Sequence, residues 1–174
     1  MPARAPDALS VRAASADDLH AITAIYNEGI ADRVATFETR LRESHDVADW
    51  LGDPLPFLVA TDEAGGVVGF ARVASYSDRC VYTGVGEHGV YVARAARGRG
   101  VGHRLLEALA AASEEAGLYK LTSRVFTDNA ASRAAHLAAG FEEVGVQRRH
   151  GKLDGEWKDC VLVERLLGEA AEPG

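Results

Sequence analysis

The chain contains 174 residues, with 26 Asp or Glu against 19 Lys or Arg, and therefore carries a formal charge of −7 and an isoelectric point near 5.3. Its length predicts a single domain with a buried core, and its 47% apolar residues are typical of a globular protein rather than of a disordered, fibrous or membrane chain. The acidic balance argues against nucleic-acid binding, which normally requires a dense Lys and Arg surface.

The cysteines and the N-terminal segment indicate the compartment. Cys80 and Cys160 are far apart in the sequence, which predicts neither a disulfide framework nor a Cys-based metal or redox site. The N-terminal residues lack the apolar stretch of a signal peptide, and no apolar run is long enough to cross a membrane. We therefore expect a soluble cytoplasmic protein with free thiols, no bound metal and no membrane partner.

Periodicity along the chain predicts one domain over residues 10–167 between flexible tails at 1–9 and 168–174. In the N-terminal half, Ser15 and Asp18 resemble a capping box that opens a helix, and Pro54 and Pro56 end a second, short helix. The predicted strands of this half are Ser10–Ala13, Phe57–Thr61, Val67–Val73 and a kinked, glycine-rich strand over Cys80–Val92.

The C-terminal half begins with the most strongly patterned helix of the chain. It opens at Gly100 or Val101, carries leucines at spacings of three and four, and ends at Gly117. The elements predicted after it are a strand over Leu121–Phe126, an Ala-rich helix over Ala130–Ala139 and two strands, about Phe141–Arg149 and Trp157–Leu166. This order predicts an α/β fold with a central mixed, mostly antiparallel sheet flanked by helices.

A basic, glycine-rich turn connects the Cys80–Val92 strand to that helix. The unpaired N–H groups of a first helical turn attract anions, and glycines let a diphosphate approach the backbone closely. A solvated surface turn is the alternative interpretation. The spacing G-x-G-x-G fits neither a P-loop nor the G-x-G-x-x-G turn of dinucleotide-binding domains, so NAD is disfavoured.

Two motifs in this half resemble the GNAT superfamily of N-acetyltransferases. The first is the turn itself, which is similar to the superfamily's R/Q-x-x-G-x-G/A pattern, and the second runs from Asn129 through Ser132 and His136 to Gly140-Phe141. Four further stretches resemble the branch that acetylates phosphinothricin, methionine sulfoximine or arsinothricin: Ile25–Asn27, Ser75–Arg79, Glu87–Val92 and Gly155–Asp159. The similarity covers roughly residues 11–167.

The resemblance implies acetyl-CoA as cosubstrate, the α-amino group of a small amino-acid-like compound as acceptor, a role in resistance, and a homodimer. It also implies the residues that bind the cosubstrate, which are Val90, Tyr91, Val92, Arg97, Gly98, Arg99, Gly100, Val101, Gly102 and Asn129.

Two residues are candidates for catalysis. Glu87 is the expected general base, because an amine attacks the thioester only when it is unprotonated. A solvated surface carboxylate is the alternative interpretation of Glu87. His136 matches the position from which relatives protonate the departing thiolate, and a buried structural histidine is the alternative interpretation.

The resemblance also implies an acceptor site around Arg79, and an arginine fork suits it because it binds acid groups in pairs. Arg72 is a second candidate, for which pairing with a surface acid is the alternative interpretation. Glu87, His88 and Gly89 are expected to line the same pocket. Acetylation of protein or peptide amines and a noncatalytic acyl-CoA-binding module remain alternatives to a small-molecule acceptor.

Overall fold

Seven strands form one sheet in the computed structural model of the protein, which describes residues 8–174. The strands are β1 (Ser10–Ala13), β2 (Phe57–Thr61), β3 (Val67–Ser75), β4 (Val85–Val92), β5 (Lys120–Phe126), β6 (Glu142–Leu153) and β7 (Glu156–Leu166). Their spatial order is β1-β2-β3-β4-β5-β7-β6, and each neighbouring pair is antiparallel except β4 and β5, which are parallel. The predicted mixed, mostly antiparallel sheet is confirmed.

Helices cover both faces of the sheet. They are α1 (Leu19–Asp32), α2 (Ser44–Ala48), α3 (Val101–Glu115) and α4 (Ala130–Ala138). The capping box of Ser15 and Asp18 is present, although a short 3-10 turn separates it from α1. Arg33 ends α1 in the left-handed conformation with φ of 58°.

Two buried clusters show which helix packs on which face. Val59 and Phe70 pack with the apolar stripe of α1, whereas their strand neighbours Ala60 and Ala71 pack with the leucines of α3. Successive residues of a strand point to opposite faces, so α1 and α3 lie on opposite sides of the sheet.

The segment before β4 differs from the prediction. Cys80–Tyr82 forms a 3-10 turn rather than the start of a strand, and β4 begins at Val85. The apolar pattern there was misleading because Val81 is 65% exposed and its carbonyl accepts a hydrogen bond from the Tyr119 hydroxyl. The glycines do mark close packing, since a Cβ on Gly86 would lie 2.4 Å from a methyl group of Val73.

The two ends of the chain were expected to be tails. Residues 1–7 lie outside the described part of the structure, and Leu9 already packs against the α3 cluster. At the other end, Gly168–Ala171 forms a 3-10 turn. No helix within residues 8–174 combines the length and the apolarity needed to cross a membrane.

Candidate active site

A cleft opens where the two parallel strands separate. β4 and β5 are paired over three residue pairs, from Val85 with Lys120 to Glu87 with Thr122. Beyond that point the strands diverge, and a cleft of about 770 Å³ lies between them. Its walls are formed by 88–92 of β4, 123–126 of β5, the turn before α3 and the first residues of α4. The backbone of β4 that faces this cleft is not paired with β5.

The glycine-rich turn forms one end of the cleft. Gly98 and Gly100 have φ of 78° and 79°, a left-handed conformation that L side chains rarely adopt. A Cβ at either position would meet no atom within 4 Å, so both glycines face open space. The first helical bond of α3 runs from Arg104 N to Gly100 O, which leaves the preceding N–H groups available to an anion.

Most of the predicted cosubstrate residues line this cleft. They are Val90, Tyr91, Val92, Arg97, Gly98, Gly100, Val101, Gly102 and Asn129. Arg99 is not among the lining residues.

An aspartate at the end of α1 holds two arginines of the turn. Asp32 accepts hydrogen bonds of 2.7 Å from both Arg94 and Arg97, and these contacts lower the pKa of its carboxyl group. Arg97 also donates to the carbonyl oxygen of Val92 at 3.2 Å. The turn is therefore fixed to α1 through charged side chains, and sequence reasoning did not identify Asp32.

Two histidines form a buried pair across the cleft wall. The Nε2 atoms of His88 and His136 are 2.9 Å apart, and Nδ1 of His136 lies 2.7 Å from the carbonyl oxygen of Ser132. A carbonyl only accepts, so Nδ1 of His136 carries the proton and its Nε2 accepts from Nε2–H of His88. Both ring nitrogens of His136 are thus used within the protein.

Burial keeps both imidazoles neutral. The pKa of His88 is lowered from 6.5 to about 3, mainly because the ring is desolvated and secondly because His136 is adjacent. A backbone contact with Thr122 acts in the opposite direction and is outweighed. The pKa of His136 is also lowered, mainly by burial.

Glu87 lies next to a residue that lines the cleft, on the opposite face of β4 from His88. It is not among the lining residues, and its side chain is 43% exposed. Its Oε1 atom is 3.5 Å from Nη1 of Arg124, which does line the cleft. The predicted base, Glu87, thus lies beside the guanidinium of Arg124, which the sequence did not indicate as a site residue.

The predicted acceptor residues do not come together. His88 and Gly89 line the cleft, whereas Arg72 and Arg79 do not. The guanidinium of Arg72 lies 4.5 Å from the ring centre of Trp50, and burial lowers its pKa. Arg79 lies outside the cleft and stacks at 5.8 Å on Tyr82.

Asn129 joins two walls of the cleft. Its Oδ1 atom caps α4 by accepting from the Ser132 N–H at 3.1 Å, and its Nδ2 donates to the carbonyl oxygen of Val34 at 2.9 Å. Val34 and Ala35 line the cleft in the loop after α1. Asn129 therefore holds this loop against α4, and both ends of its amide already have partners.

Comparison with known proteins identifies the family. The model of the Acetyltransferase (GNAT) family matches residues 22–141. An L-methionine sulfoximine/L-methionine sulfone acetyltransferase of Pseudomonas aeruginosa is 33% identical over 91% of this chain and 94% of its own length. A phosphinothricin N-acetyltransferase of Alcaligenes faecalis is 37% identical over 92% of this chain and 83% of its own length.

A solved structure agrees with these relatives. The phosphinothricin acetyltransferase of Sinorhizobium meliloti in complex with AcCoA superposes with a TM-score of 0.88 and is 32% identical, covering 95% of this chain and 93% of that one. The same family is indicated by the fold, by the family match over 22–141 and by the similarity along nearly the whole chain. The chain therefore belongs to the GNAT family of acetyltransferases.

Proposed function

We propose that this protein transfers an acetyl group from acetyl-CoA to the α-amino group of a small amino-acid-like acceptor of the phosphinothricin, methionine sulfoximine or arsinothricin type. The observation that carries the proposal is the continuity of the site. One cleft runs from the anion-binding turn at α3, along the unpaired edge of β4, to Arg124, whose side chain lies beside Glu87.

This cleft suits the shape of acetyl-CoA. The turn offers unpaired N–H groups and two open glycines to the diphosphate, and the helix dipole of α3 adds positive potential there. The amide groups of the pantetheine arm can pair with the free backbone edge of β4. Extension along this edge directs the thioester toward Glu87.

Glu87 supplies the base in this proposal. An α-amino group has a pKa of about 7.7 to 8.0, so much of the acceptor is protonated at neutral pH and must lose a proton before it attacks. The nitrogen then bonds to the thioester carbon, the carbon–sulfur bond breaks, and the CoA thiolate takes up a proton.

His136 remains a candidate for that last proton transfer. Its ring is neutral and both of its nitrogens are bound within the protein, so it would act through His88 or after the pair separates. We further propose that Arg79 and Arg72 reach the acceptor only if the 76–84 segment or the Trp50 contact rearranges.

Finally, we propose that the protein acts in the cytoplasm as a homodimer and confers resistance to its acceptor. The edge strand β6 supports self-association, because Val144 and Val146 are 48% and 57% exposed along it. Sedimentation that shows only an 18.5 kDa species at micromolar concentration would contradict the dimer.

An acceptor screen tests the reaction. The protein is mixed with acetyl-CoA and with phosphinothricin, methionine sulfoximine, methionine sulfone or a short peptide, and the release of CoA thiol is followed. We expect thiol release with the amino acids and not with the peptide. Faster turnover of the peptide would favour acetylation of protein amines, and acetyl-CoA binding without turnover of any amine would favour a binding module.

A further inference from the structure

An arginine on β5 lies next to the predicted base. Glu87 pairs with Thr122 in the parallel register, and Arg124 follows two residues later, so the Glu87 and Arg124 side chains lie on the same face of the sheet. β5 no longer pairs with β4 at Arg124, which leaves that side chain at the opening of the cleft.

The contact between these two charges is loose. The distance of 3.5 Å from Nη1 to Oε1 exceeds that of a good charged hydrogen bond, which is about 2.7 to 2.9 Å. Arg124 is instead held in place from its other side, because its Nε donates to Oε1 of Gln147 at 2.8 Å. Its Nη2 makes no hydrogen bond within residues 8–174. The guanidinium is therefore oriented while part of its fork stays available.

The other cations near the cleft are already engaged. Arg97 is bound to Asp32 at the opposite end, Arg72 lies on Trp50, and Arg79 lies outside. Among the described residues that line the cleft, Arg97 and Arg124 are the arginines. The buried histidine pair is neutral, and His103 lies 3.0 Å from a carboxylate oxygen of Glu107. Arg124 is the one beside Glu87.

We propose that Arg124 binds the α-carboxylate of the acceptor while Glu87 binds its ammonium group. In an α-amino acid these two groups are attached to the same carbon atom, and their separation of a few ångströms matches the spacing of Glu87 and Arg124. When the acceptor binds, its ammonium group contacts Glu87 and its carboxylate contacts Arg124, in addition to the loose contact between those two side chains. The planar fork of arginine is suited to a carboxylate.

This assignment rests on the proposed function and makes it more specific. A peptide N-terminus presents an ammonium group next to an amide instead of a carboxylate, and it would offer Arg124 no carboxylate of its own. Arg124 then selects free amino acids against protein N-termini. Arg124 is a specificity residue, and the proton transfer stays with Glu87.

The test compares methionine sulfone with its α-carboxamide in the parent protein and in Arg124→Gln. We expect the parent to prefer the acid. In Arg124→Gln, kcat/KM for the acid should fall about ten- to a hundred-fold, which is the effect of losing a hydrogen bond between charged groups. The carboxamide should change by less than about three-fold, as should the KM for acetyl-CoA.

Arg40→Gln is the matched control, because Arg40 is 70% exposed, makes a single 3.9 Å contact with Asp46 and does not line the cleft. Arg124→Lys keeps the charge without the fork and should retain part of the preference. Equal losses on acid and carboxamide would overturn the proposal, since Arg124 would then act through Glu87. An unchanged preference would overturn it as well.

A binding measurement separates this proposal from the proposed function. Titration of methionine sulfone into the CoA-saturated protein reports carboxylate recognition without turnover. In one outcome the parent binds the amino acid, Arg124→Gln weakens that binding, and no acetylation occurs. The proposed function then fails, whereas the assignment of Arg124 stands. If the parent neither binds nor acetylates it, both fail.

Discussion

The buried pair of His88 and His136 makes the stability of the fold depend on pH between 5 and 7.5. In the unfolded chain the pKa of His88 returns to about 6.5, whereas in the folded protein it is about 3. As pH falls below 6.5, the unfolded chain takes up a proton that the folded protein refuses. The free energy of unfolding therefore decreases by up to about 1.36 kcal/mol per pH unit.

For His88 alone this amounts to a loss of about 2 kcal/mol on going from pH 7.5 to pH 5. The lowered pKa of His136 adds to the loss in the same direction. Urea unfolding across this pH range measures the free energy of unfolding of the parent and of His88→Gln. Removing the imidazole should flatten the profile by about 2 kcal/mol, whatever it does to the stability at pH 7.5.

His20→Gln is the control, because it also removes an imidazole, but an exposed one that lies outside the buried pair. Nuclear magnetic resonance of the imidazole signals provides a second readout that does not depend on a variant folding well. A His88 ring that titrates in the folded protein near pH 6.5 would refute the reasoning, and so would parallel profiles of the parent and His88→Gln.

Three further predictions concern the cleft. Glu87→Gln should bind acetyl-CoA normally and lower kcat by about 10²- to 10⁴-fold, and this defect should shrink toward pH 9.5 because the amine then loses its proton unaided. Rates within about three-fold of the parent at all pH values would exclude Glu87 as the base. Gly100→Glu should abolish the rise in melting temperature caused by acetyl-CoA, because it adds a strained side chain and a negative charge where the diphosphate is expected. An unchanged calorimetric affinity for acetyl-CoA would show that the turn is not part of the site. Asp32→Asn should tighten acetyl-CoA binding by up to about five-fold, since it releases Arg94 and Arg97 from an exposed ion pair; weaker binding would show that Asp32 positions the turn.

Local sequence patterns predicted much of the fold. The leucine spacing of α3, the capping box of Ser15 and the positive φ of Gly117 act within one or two turns of chain, so the sequence alone predicted them. The Cys80–Tyr82 segment was predicted wrongly because its apolar residues resemble a strand, while the chain must turn there between β3 and β4.

The site was harder to predict where it depends on residues that are distant in the chain. Arg124 reaches Glu87 only through the parallel register of β4 and β5, and no short-range pattern fixes that register. The same limit applies to Asp32 with Arg97 and to Asn129 with Val34, which are 65 and 95 residues apart. The glycine-rich turn was predicted because its whole chemistry lies within a few consecutive residues.

The short parallel pairing of β4 and β5 has a consequence for how the protein resists proteolysis. Two parts of the sheet, β1–β4 and β5–β7, share three residue pairs of hydrogen-bonded ladder. One hydrophobic core already joins these parts through the leucines of α3, and a long ligand lying in the gap adds contacts to both of them. Proteases attack locally opened chains, so saturation with acetyl-CoA should slow the proteolysis of the purified protein.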